Sequence, residues 1–164
     1  MMRRAVFLGL GVVVLAGCGD ARLTGRGHVR IETSDDVRAA IELPTDIRLD
    51  GEVQPGRITG SCRIARSRVG GVIVTVELYT HSDVGLRSVT LMQGSDPGAQ
   101  GLLEARLTGG TFRATNPCDL ALSYVDDQGS VVLDARVCAL DGGDGRTGTS
   151  DVHLELHGCA LTED

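Results

Sequence analysis

The chain has 164 residues, a formal net charge of −6, no lysine, and only two tyrosines and two phenylalanines as aromatic side chains. Without lysine there is no Walker A phosphate grip, no Schiff-base amine and no lysine general base. An acidic chain so poor in rings suits neither nucleic acid nor anionic headgroups, which attract basic patches, and it lacks the aromatics that stack bases or anchor large protein interfaces.

The N-terminal segment MMRRAVFLGLGVVVLAGCGD has Arg3 and Arg4, an apolar run from Ala5 to Leu15 and then small residues. That order is the charged, hydrophobic and processing region of an export signal. The run is too short to span a bilayer core, which needs about 20 apolar residues. Leu15-Ala16-Gly17-Cys18 resembles the lipobox of bacterial lipoproteins. The resemblance implies a signal peptide over residues 1–17, cut before Cys18, with Cys18 acylated on its sulfur and on its new amino group. Several acyl chains (palmitate or similar) hold a protein firmly, at about 0.8 kcal/mol per buried CH₂. Gly19, not aspartate, follows Cys18, so the inner-membrane retention signal of enteric lipoproteins is missing and the outer membrane is the expected destination. The flanks of Arg3-Arg4 fit the twin-arginine export motif poorly, which leaves general secretion.

Residues 18–27 read as the lipidated cysteine and a Gly-rich tether, and residues 28–164 as a single domain, long enough for one core. Ser34 to Leu43 fits a short helix capped by Ser34 or, preferably, a strand with Val37, Ala39, Ile41 and Leu43 inward, ended by Pro44 in either case. Val72 to Thr80, Ser130 to Val137 and Asp151 to His157 alternate with period two; the first two are rich in β-branched residues, and the third sets Val152, Leu154 and Leu156 on one face. Leu102 to Leu107 admits both readings. Turn chemistry sits at Gln54-Pro55-Gly56, Asp96-Pro97-Gly98, Asp126 to Gly129 and across Asp141 to Thr149, the last read as a long, flexible hairpin loop. This punctuation predicts an all-β fold, an antiparallel β-sandwich of roughly nine strands.

Cys62, Cys118, Cys138 and Cys159 form an even set in an exported domain, and predict two disulfides. Sequence alone leaves three pairings open. The hairpin favours one of them. If Gly129 is the left-handed residue of a three-residue loop, Asp126 faces Ser130; eight residues back lies Cys118 and eight forward Cys138. Opposed residues of an antiparallel pair lie within about 5.5 Å, which a disulfide can bridge. Cys62 and Cys159 remain for the second bridge, unless a bulge shifts the count. No two cysteines have CxxC spacing.

The strongest chemical constellation is DVHLELH, which puts Asp151, His153, Glu155 and His157 on one strand face. His153, Glu155 and His157 could ligate zinc or copper, with His28 or His81 from elsewhere completing the set; the plainer reading is the wet face of an amphipathic strand. The loop from Leu140 to Asp151 lacks the alternating oxygens of a calcium loop. Neither G-x-S-x-G nor H-E-x-x-H occurs. The arginines from Ser61 to Arg68 read as strand exposure and a turn. The expectation is therefore an envelope lipoprotein held at the membrane by its lipid. It would serve as a structural or interaction module for another envelope protein, with no cofactor and no catalytic residue; a divalent-metal domain built on the last long strand is the alternative.

Overall fold

The computed structural model describes residues 22–66, 71–81, 85–95, 101–114 and 120–163. The N-terminal segment with Cys18, the Asp96-Pro97-Gly98 turn, Arg68 and Cys118 lie outside the described residues.

The described residues form eleven strands, most of them carried by alternating inward apolar residues: β1 Thr24–Thr33, β2 Arg38–Arg48, β3 Ile58–Arg66, β4 Val72–Thr80, β5 Leu86–Gly94, β6 Leu102–Leu107, β7 Gly110–Ala114, β8 Ala121–Val125, β9 Val131–Gly143, β10 Arg146–His157 and β11 Ala160–Glu163. The fold is all-β, as the sequence predicts. The strands belong to one hydrogen-bonded sheet, not two, in the order β11-β3-β4-β5-β6-β7-β9-β10-β1-β2, with β8 beside β9. All pairings are antiparallel except β11 on β3. The sheet curls into an open half-barrel whose concave face carries an aliphatic core around Ile41, Val76, Leu91, Leu103, Leu133 and Leu154, all fully buried. At one end Leu49 donates its N–H to Leu23 and accepts from Gly60, drawing the start of β1 and β3 together.

Several expectations need correction. β1 begins at Thr24, so Thr24 to Gly27 are sheet and not tether. The segment from Arg38 is a strand, but Pro44 does not end it: β2 runs on to Arg48. Proline has no N–H to give a ladder and is tolerated here because β2 is the outermost strand. Val37, expected inward, is 42 % exposed. The stretch from Asp141 to Thr149 closes a hairpin, as expected, but is no long loop. β9 and β10 extend through it to a tight turn at Asp144-Gly145, both at positive φ, which is the Asp-Gly signature of a two-residue hairpin.

The Asp126 to Gly129 hairpin forms as predicted. Asp126 N–H bonds the Ser130 carbonyl, and Gly129 is left-handed at φ 84°. This turn also meets the C-terminal disulfide. Cys159 N–H donates to the Gly129 carbonyl, and a Cβ on Gly129 would lie 2.6 Å from the Cys159 oxygen. Cys62 and Cys159 are bonded, across a sequence separation of 97. Cys138 is buried and also disulfide-bonded.

Candidate functional site

The outer face of β10 carries the residues singled out in DVHLELH. Val152, Leu154 and Leu156 point into the core, so Asp151, His153, Glu155 and His157 point out. β10 lies between β9 and β1, and register places Asp134 of β9 and His28 of β1 on either side of His153. Gly27, at φ 119°, makes the close approach of β1 feasible. Any Cβ there would overlap the carbonyl oxygen of His153.

His153 Nδ1 lies 2.7 Å from Asp134 Oδ1, and Ser123 of β8 donates its hydroxyl to the other oxygen of Asp134 at 2.7 Å. His153 Nε2 faces Glu155 Oε1 at 3.4 Å, and Arg26 donates to Glu155 from β1. His28 Nε2 lies 3.1 Å from Asp151, with its ring centroid 6.3 Å from that of His153. The result is a polar chain across four strands, from Ser123 through Asp134, His153 and Glu155 to Arg26.

The electrostatics follow from these contacts. The hydrogen bond to Asp134 raises the His153 pKa above its ordinary value; burial opposes this and Glu155 adds to it. Asp134 is held below the usual carboxylate range by hydrogen bonds from His153 and then Ser123. Glu155 is lowered chiefly by Arg26. Chemically, the row sets the His153 imidazole between two carboxylates that favour its protonated form.

The predicted metal residues are only partly brought together. His153 and Glu155 are neighbours, but both ring nitrogens of His153 face carboxylates. His157 turns to the Ser130 hydroxyl at 3.1 Å, and His81 bonds Thr59 at 3.1 Å on the other half of the sheet. Among the described residues, no three histidine, cysteine, aspartate or glutamate side chains converge where a metal ion could sit. Sequence reasoning missed Asp134, Ser123 and Arg26. Arg26 was hidden in the segment read as tether, although an isolated glycine just before an alternating run, as Gly27 is, signals a bulge.

A groove of about 470 Å³ adjoins this row on the same face, between the outward side chains of Arg30, Arg38, Ala40 and Asp151 and the tip of Val137. Val137 sits at φ 51° and is 74 % exposed, at the irregularity where β9 slips against β10. A β-branched residue there is strained. In the groove Arg30 pairs with Glu42 and Arg38 with Glu32, and Asp151 lies 3.1 Å from His28 Nε2.

Compared with family models, with curated proteins and with solved structures, the chain matches none.

Proposed function

We propose that this protein is an envelope lipoprotein, fastened by acyl chains on Cys18 to a membrane, the outer membrane in a diderm cell, and working there as a non-enzymatic structural or interaction module. The observation that carries the reading is LAGC placed directly after an export-type apolar run. The fold is compatible with it in a specific way. From Cys18 to Thr24 an extended chain reaches no more than about 20 Å. Anchoring would therefore hold the Thr24 end of β1 near the headgroups, together with Arg48 and His157, which register opposite Thr24. The far end, with the Asp144-Gly145 turn and the apolar pocket of Val37, Leu107 and Phe112, would face away. The curled sheet would serve as the scaffold, closing on itself inside: a Cβ on Gly85, just before β5, would lie 4.0 Å from Ala39 of β2.

The test is Cys18→Ser in the producing cell. Wild-type chain is expected in the membrane fraction with the mass of its acyl groups. The variant is expected to lose that mass and leave the membrane. Unchanged fractionation together with unchanged mass would overturn the anchor.

A further inference from the structure

β2 is an end strand of the sheet, paired on one side with β1. Antiparallel ladders alternate residues whose backbone groups bond the neighbour with residues whose groups point away. Thr33 N–H donates to the Val37 carbonyl at 3.0 Å, which fixes the phase. In the register of β1 with β2, Ala39, Ile41 and Leu43 therefore bond β1, and Arg38, Ala40 and Glu42 turn their N–H and C=O outward. Among the described residues no strand pairs with that outward side. An exposed row of this kind is a template for another strand unless it is blunted.

We infer that two copies join edge to edge along β2, antiparallel, about a two-fold axis at Ala40. In that register Ala40 faces Ala40 of the second copy and exchanges both backbone bonds with it, and Arg38 faces Glu42 in each direction. Side-chain sign is thus self-complementary about the axis, as an isologous contact requires. The small side chain falls at the centre, where two identical residues must meet. Val37, too exposed for its parity, would lie opposite Leu43. The window also limits itself: Pro44 has no N–H at one end, and Asp36, at φ 60°, turns the chain at the other. Any shift of register places Arg38 or Glu42 against a like charge or no charge. The result is a continuous sheet through both copies. It names a partner for the module proposed above without depending on the anchor, since Cys18→Ser leaves β2 untouched.

Sedimentation equilibrium of the purified full chain in density-matched detergent reads the prediction. Wild type is expected to associate reversibly to twice the mass of one chain. Ala40→Pro removes the two central donors without touching the β1 ladder, and should leave a folded single chain. Arg38→Glu should weaken association about tenfold or more, because like charges then face each other at both ends. Arg38→Glu with Glu42→Arg should restore it, since the pairs across the axis are exchanged, although each copy loses its own Arg38–Glu32 and Arg30–Glu42 bridges. A single-chain mass at every concentration, association indifferent to Ala40→Pro, or an open-ended ladder of larger species would each overturn the two-fold edge.

Discussion

The two faces of β10 are made by one alternation and do opposite work. Inward, Leu154 lies between Leu133 of β9 and Gly27 of β1, with no solvent exposure. Outward, one residue earlier, His153 lies between Asp134 and His28 and keeps 42 % of its side chain exposed. The inner row is specified by volume. The outer row is specified by charge and hydrogen-bond partner, and most of its energy is screened by water. The same contrast runs through β1, whose inner Val29 and Ile31 are buried while outer Arg26 and Arg30 pair with Glu155 and Glu42. Folding free energy is thus concentrated on the concave side, and the convex side can vary its chemistry without endangering the sheet.

The largest effect that would test this division is on the inner row. Leu154→Ala should cost about 2–5 kcal/mol by combining lost burial with a cavity. The denaturant midpoint should drop with an unchanged slope. A loss below about 1 kcal/mol would mean that the concave side is loosely filled and that volume does not specify it.

Next in size is Gly27→Ala, which acts on both faces at once. The new Cβ would collide with the His153 carbonyl, and the residue would keep a left-handed φ that alanine disfavours. The expected cost is about 1–3 kcal/mol, with β1 displaced from β10. Equilibrium unfolding gives the cost, and amide exchange along β1 should rise. Unaltered exchange would show that the close approach is dispensable.

How much of this is legible in the sequence depends on which face is read. The inner rows of β4, β9 and β10 follow from period-two hydrophobicity, and the Asp126 to Gly129 turn follows from its residue types. The outer row does not follow, because it depends on register. Counting outward from the Asp144-Gly145 turn pairs His153 with Arg136, but two register shifts, after Arg146 and between Ser150 and Val152, bring Asp134 there instead. A cation becomes a carboxylate, and the chemistry of the site inverts. A similar shift between Leu122 and Tyr124 lies on the hairpin whose even count suggested Cys118 opposite Cys138. Bulges leave weak marks in composition. The proline in β2 fails for another reason: its tolerance depends on the strand's place at the end of the sheet, a fact of topology.

The smallest predicted effect is also the most specific to the outer face. His153 has a raised pKa in the folded state, so its stabilising contribution is fully present below the unfolded value of about 6.5 and is lost as pH rises through the folded one. Asp134 is lowered, so its contribution is present above the unfolded value of about 3.9 and is lost as pH falls through the folded one. Both partners are charged between those limits, and the pair contributes most at about pH 4–6.5. Stability should therefore decline from pH 6 toward pH 8 in wild type, and His153→Gln should flatten that decline while leaving the inner row intact. Taking the difference between the two proteins removes whatever the other three histidines add. Because both side chains are more than a third exposed, the slope should be shallow and should shrink with added salt. A steep, salt-insensitive slope would place His153 in a drier setting than an open sheet face provides, and would assign part of the folding free energy to the convex side.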